Sequence, residues 1–165
     1  MPYERVWAVG ERYGILQRLV GLYKFERAIS AHTELGDLLL SVLPELPPET
    51  IIVPVPTTPV RIRERGYNHT LLVARYVAKA RGLKCEQLLR RRTNTKQRQA
   101  SAKKRELQAK RAFEVRGELD ALVPYLIIDD VITTGATIKY SSQTLRDAGT
   151  EHVWVAVIAR QVLGK

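Results

Sequence analysis

The chain has 165 residues, 45% of them hydrophobic, which is enough for one core of ordinary domain size and too few for two. Lysine and arginine number 27 against 17 acids, a formal charge of +10 that points to an anionic partner: a phosphorylated small molecule, nucleic acid or an anionic surface. One cysteine, Cys85, excludes an internal disulfide or a zinc site of two or more cysteines; residues 153–159, the longest apolar run, are too short to cross a bilayer, and residues 1–5 lack a secretion signal's apolar core, so a cytoplasmic protein without membrane insertion is expected.

Residues 4–9 alternate as a short strand would. Residues 14–25 and 27–43 follow as helices, the second with Ala31, Leu35, Leu38, Leu39 and Val42 on one face. Pro44, Pro47 and Pro48 stop it, because proline has no amide to continue the ladder. Residues 51–55 form a wholly apolar, β-branched run of the kind covered on both faces in a parallel sheet. A loop then leads to Asn68, a cap for a helix with Val73, Tyr76, Val77 and Ala80 inward and Gly82 as its stop. A strand is expected near residues 88–90, and Cys85 reads as a small strand residue. Buried strands at 123–129 and 153–159 flank a helix over about 136–148. Strands alternating with helices predict a single α/β domain around a mostly parallel sheet, with ligands at the carboxyl ends of its strands.

The charge is concentrated. Between Arg90 and Arg111 lie ten bases and one acid, Glu106, so the rest of the chain is close to neutral. The run has almost no apolar face to bury and reads as a solvated helix or flexible segment, 90–112. Its place between two strands, rather than at a terminus, favours a functional loop.

The chemistry concentrates in Leu126-Ile127-Ile128-Asp129-Asp130-Val131-Ile132-Thr133-Thr134-Gly135-Ala136-Thr137. A buried strand ends in two carboxylates at the sheet's ligand edge. A short turn of hydroxyls and one glycine then enters a helix, whose first amides are unpaired donors in a region of partial positive charge. Such a turn suits a phosphate. Carboxylates beside a phosphate suit sugar hydroxyls, or a divalent cation held through water. Together they ask for a phosphorylated ribose with Mg²⁺. The bland alternative is an ordinary strand-to-helix turn. A receiver domain does not fit, because only one helix and one strand follow Asp130.

This segment resembles the 5-phosphoribosyl-1-pyrophosphate (PRPP) signature of type I phosphoribosyltransferases. Val53-Pro54-Val55-Pro56, Arg61 and Arg65-Gly66-Tyr67-Asn68 resemble a block of the ComF family, phosphoribosyltransferase-like proteins associated with DNA uptake in competent bacteria. Gln97, Arg105, Ala112 and Phe113 are similar in spacing to that family's basic segment, and Tyr23-Lys24 to its N-terminal helix; the similarity spans about residues 10–160. The cysteine-rich zinc segment of many ComF proteins is absent, and His69 stands where the family usually has Gln.

The resemblance implies a type I phosphoribosyltransferase fold with residues 1–45 as a small hood. It implies that Thr133, Thr134, Gly135, Ala136 and Thr137 hold the 5-phosphate, and Asp129 and Asp130 the ribose hydroxyls, with Mg²⁺ bound indirectly. Pro56, Thr57 and Thr58 would hold pyrophosphate, helped by Arg61 or Arg65, whose planar forks match phosphate oxygens. The basic segment, including Gln97, Lys103, Lys104 and Arg105, would close over the leaving group. The implied activity is Mg²⁺-dependent transfer of phosphoribose to an acceptor, or hydrolysis of PRPP. The competing reading is a competence factor in which catalysis is lost or secondary and the basic segment grips single-stranded DNA or meets other competence proteins; a nucleotide sensor without turnover ranks last. His32 and His152 read as structural, while His69 lies beside the loop block, where it could approach the site.

Overall fold

A computed structural model describes residues 1–25, 28–92 and 112–161. Its centre is a five-stranded, all-parallel sheet in the order β1-β7-β6-β2-β3. The strands are β1 (Arg5–Glu11), β2 (Ile51–Pro54), β3 (Lys84–Cys85), β6 (Tyr125–Ile132) and β7 (Val153–Arg160). A separate antiparallel pair joins β4 (Leu89–Arg91) to β5 (Phe113–Val115). The helices are α1 (Gly14–Phe25), α2 (Ala31–Val42), α3 (Pro59–Arg65), α4 (His69–Arg81) and α5 (Ala136–Asp147). The expected α/β class and parallel sheet are therefore present. Among the described residues no helix is long and apolar enough to cross a membrane.

Both faces of the sheet are covered, which is why β6 and β7 read as continuous apolar runs rather than alternating ones. Leu126, Ile128, Ala156 and Ile158 face one core, which α1, α2 and α4 close with Val20, Leu35, Leu39, Val73 and Val77. Tyr125, Ile127, Val155 and Val157 face the other, closed by Ile138 and Leu145 of α5 and by Leu89 and Phe113 of the β4–β5 pair. The alternation follows the period of two in a pleated strand.

Several boundaries differ from those the sequence suggests. Helix α2 starts at Ala31 rather than at residue 27, and residues 26 and 27 lie outside the described part. The buried face of α4 is Thr70, Val73, Ala74, Val77 and Ala78; Ala80 is exposed and Tyr76 only half-buried, lying over Gly36 of α2. The stretch expected to be a loop before Asn68 contains α3. Thr58 caps α3, accepting from the Arg61 amide, Pro59 begins it, and Gly66 ends it at φ 85°. Pro at the first position and Gly just past the last are strong helix boundaries. Strand β6 runs to Ile132, so the two aspartates lie inside it rather than at its end. Pairing with β7 continues through Val131↔Ala159 and Ile132↔Arg160 after β2 has stopped at Pro54↔Ile128. The strand expected near 88–90 belongs to the antiparallel pair and not to the main sheet. Strand β1, within the segment expected to be a hood, joins the central sheet beside β7.

Candidate functional site

The chain crosses from β2 to β3 on one side and from β6 to β7 on the other, so the strand order reverses between β2 and β6. That reversal opens a crevice at the carboxyl ends of the strands, where open α/β sheets bind ligands. Here it is deepened by unequal length. Residues 129–132 of β6 continue beyond β2 with only β7 as a strand neighbour among the described residues. After the Val55 amide donates to the Ile128 carbonyl at 2.9 Å, the chain turns away through Pro56 and Thr57.

A cavity of about 290 Å³ occupies the gap. Of the residues expected from sequence, Asp129, Asp130, Thr133, Thr137, Thr57 and Arg61 line it, together with Pro56. Other expected residues lie around it without lining it. Thr58 caps α3, and Thr134 accepts from the Ala136 amide at 3.4 Å. Gly135 adopts φ 76°, a conformation glycine takes without strain, and this turns the chain from β6 into α5. Arg65 is buried behind His69 rather than lining the cavity. Gln97, Lys103, Lys104 and Arg105 lie outside the described residues.

Consecutive residues of a strand point to opposite faces, and the aspartates obey that rule. Asp130 turns toward α1 and α4. Its Oδ2 lies 2.5 Å from Lys24 Nζ and accepts from His69 Nε2 at 2.6 Å. Asp129 has Arg91 of β4 among the charges acting on it, and its Oδ1 accepts from the Asp130 amide at 2.8 Å. The two acids consequently differ in acidity. Burial, reinforced by the neighbouring Asp130 charge, pushes Asp129 up to about 7. Burial acts upward on Asp130 as well, but the His69 hydrogen bond and the Lys24 charge overcome it and hold that carboxyl well below the usual range. His69 itself is held below the ordinary imidazole value, chiefly by burial, with Asp130 opposing.

Lys24, Arg12 and Arg91 also line the cavity, unmarked one by one in the sequence, and so does His69, which the sequence placed beside the loop block. Each comes from a different element and reaches the site only through the fold. Arg12 follows β1, fixed by its amide to the Arg160 carbonyl at 2.8 Å, and its Nε is buried with no hydrogen-bond partner among the described residues. Next to the first cavity, a wider one of about 610 Å³ extends over the β4–β5 pair. There Arg90 and Arg92 share Glu114, at 3.5 and 2.9 Å.

Among the described residues no cluster of three or more His, Cys, Asp or Glu is placed to hold a metal. Two carboxylates, one already engaged by a lysine, do fit a magnesium ion that arrives on a ligand's phosphates and keeps most of its waters. Asp129 is then the carboxylate with capacity to spare.

No protein-family model matches the chain. It is 29% identical to Competence protein F of Haemophilus influenzae, over 96% of this chain and 73% of that protein. It is 31% identical to DNA utilization protein YhgH of Salmonella typhi, over 93% of this chain and 71% of that protein. Among solved structures, 78% of the chain superposes on the allosteric regulatory enzyme of purine biosynthesis, with a TM-score of 0.56 and 23% identity. The glutamine PRPP amidotransferase of B. subtilis gives a TM-score of 0.55 at 21% identity, again over 78% of the chain. The chain spans about a quarter of each of these two structures, 25% and 26%. At this identity the likeness shows the fold alone, and that fold is the phosphoribosyltransferase one.

Proposed function

The chain belongs to the family of competence protein F and DNA utilization protein YhgH, and from that premise we propose that it binds PRPP and transfers phosphoribose in the course of handling DNA taken up by the cell. The observation that carries the reading is the convergence on one cavity of Asp129 and Asp130, the Thr133–Thr137 turn and the Pro56–Thr57 loop. Hydroxyl donors, a 5-phosphate and a pyrophosphate are the three groups of PRPP, and each has a chemically matched surface there.

In this reading the Thr133–Thr137 turn holds the 5-phosphate through hydroxyls and the first amides of α5. Asp129 and Asp130 accept from the ribose hydroxyls. The 55–57 loop, with Arg61 and Arg91, faces the pyrophosphate. As the C1–oxygen bond breaks, pyrophosphate departs with the electron pair while an acceptor's lone pair bonds to C1 and the acceptor gives up a proton. Positive charge grows on the ribose and negative charge on the leaving group, so fixed cations beside pyrophosphate lower the barrier. Asp129 would hold, through water, a magnesium ion brought in on the ligand's phosphates, and that ion would supply charge neutralisation to the leaving group.

Calorimetric titration with PRPP and Mg²⁺ tests this. Binding is expected in the native chain and absent in Asp129→Ala/Asp130→Ala; undiminished binding in the double variant would sink the proposal. Pyrophosphate release with a panel of bases, nucleosides and single-stranded DNA then identifies the acceptor.

A second reading is favoured by the relatives' names and by the ten bases between Arg90 and Arg111. In it the chain grips single-stranded DNA and turnover is secondary. Neutralising Lys103, Lys104 and Arg105 separates the two: loss of DNA binding with PRPP binding intact supports it.

A further inference from the structure

Three helices converge on Asp130. Lys24 comes from the last turn of α1, His69 is the first residue of α4, and Arg65 is the last of α3. Lys24 and His69 both address Oδ2, at 2.5 and 2.6 Å. Arg65 stands behind the imidazole with one guanidinium nitrogen 2.7 Å from Nδ1 and 3.1 Å from Nε2.

The proton positions follow from what each group is able to do. A carboxylate only accepts, so His69 Nε2 must carry hydrogen. The guanidinium nitrogen is close to both ring nitrogens at once, so it lies over the face of the imidazole and not along the Nδ1 lone pair. Burial, with the Arg65 charge adding to it, disfavours a second proton, so the imidazole is neutral with its hydrogen on Nε2, facing Asp130. Thr70 Oγ1, 3.3 Å from Nε2, is a weaker neighbour of the same nitrogen. The backbone beneath is held as well: the Tyr23 hydroxyl donates to the His69 carbonyl at 2.7 Å, and the Tyr67 hydroxyl donates to the Tyr23 carbonyl. Tyr23 also meets the imidazole edge-on, with ring centroids 6.2 Å apart. Both donors engage Oδ2, so Oδ1 is the oxygen left for a ligand.

We propose that His69 and Lys24 are positioning residues that hold Asp130 as a fixed acceptor for a ribose hydroxyl, with Arg65 packed against the imidazole. The proposal rests on the phosphoribose reading of the site. It assigns a task to a histidine on which the signature segment is silent, and it makes α1 part of sugar recognition. A carboxylate locked by two donors cannot swing away between ligands, so its orientation is set before the sugar arrives.

The test compares two probes, ribose 5-phosphate and inorganic phosphate, titrated into the native chain and its variants. Inorganic phosphate reports the anion-binding surfaces of the cavity without a sugar, while ribose 5-phosphate also needs the aspartates. His69→Leu is expected to weaken ribose 5-phosphate by about tenfold or more, the worth of a hydrogen bond to a charged group, and to leave phosphate within about twofold. His69→Gln, whose amide donates from the same place, should recover most of the loss. Lys24→Met should lower ribose 5-phosphate affinity in the same selective way. It carries the test if His69→Leu fails to fold, because Lys24 is at a helix end and retains 16% side-chain exposure. Nitrogen-15 spectra at neutral pH should show the His69 proton on Nε2. An unchanged ribose 5-phosphate affinity in both variants, equal losses for the two probes, or a proton on Nδ1 would each overturn the proposal. A native chain that binds ribose 5-phosphate no better than phosphate overturns the phosphoribose reading itself, and the positioning role with it.

Discussion

Asp129 and Asp130 are chemically identical and adjacent, yet the pleat of β6 gives them opposite surroundings. One finds a lysine and an imidazole N–H; the other finds burial and its neighbour's charge. The difference has a sign in the stability of the ligand-free protein. Asp129 ionises in the unfolded chain near the ordinary carboxylate value but in the fold only near 7. Its contribution to stability is complete below the unfolded value and is lost as pH rises through about 7. Asp130, held down, contributes the reverse: its stabilisation is present above the unfolded value and lost as pH falls below it. His69, also held down, loses its share as pH falls from the imidazole range, so the native curve alone mixes the terms. Asp129→Asn isolates one of them. Without ligand or magnesium, its stability relative to the native chain should increase from pH 4.5 to pH 8 by on the order of 2 kcal/mol. A difference that stays flat in thermal melts across that range would show that Asp129 titrates as an ordinary carboxylate. At this scale the acidic pair and its threonine turn were legible, because all of their chemistry is contiguous in sequence. Lys24, Arg12 and Arg91 were not, because their proximity is produced by the sheet order, and His69 was legible only as a neighbour of the loop block.

Elements hold the site through their ends and their close approaches. Asn68 Oδ1 accepts from the Leu71 amide at 3.2 Å, capping α4, and also from the Thr57 hydroxyl at 3.2 Å. One side chain thus ties the start of the helix that carries His69 to the loop that lines the cavity. Asn68→Ala is expected to cost about 1 kcal/mol in denaturant unfolding, the usual worth of an N-cap, and to weaken ligand binding through the released loop. Helices α2 and α4 meet at Gly36, where an added Cβ would fall 2.2 Å from a ring carbon of Tyr76. The ring is tethered by its hydroxyl to Asp37 Oδ1 at 2.7 Å, so it cannot simply swing aside. Gly36→Ala should therefore destabilise by about 1–3 kcal/mol despite alanine's better helix propensity, as read by the urea midpoint. Long periodic helices and doubly covered strands were readable from apolar spacing. Helix α3 was not: Arg61, Arg63 and Arg65 at alternate positions masked it, although Thr58, Pro59 and Gly66 marked its limits. Strand β5, three residues long, carries too little pattern to be read.

At the scale of the molecule, charge and topology divide the work. The cations that surround the cavity come one each from the end of β1 and from α1, α3 and β4, Arg12 following directly on β1, while most of the basic run lies in residues 93–111, outside the described part. If that run contacts DNA, replacing Lys103, Lys104 and Arg105 with glutamine should reduce the slope of log affinity against log salt by about 2 for single strands. An unchanged slope in filter-binding or anisotropy titrations would place the contacts elsewhere. Topology has a consequence in time. Among the described residues strand β1 has a single neighbour, β7, and residues 5–11 pair with residues 154–160. While the chain is being synthesised, β1 has no place to dock until those late residues leave the ribosome, and loop closure over such a separation is slow. Arg12 and Lys24 travel with β1 and α1. Asp130 thus meets His69 of α4 and Lys24 of α1 at different stages, and the lysine contact is the one that waits for the late strand.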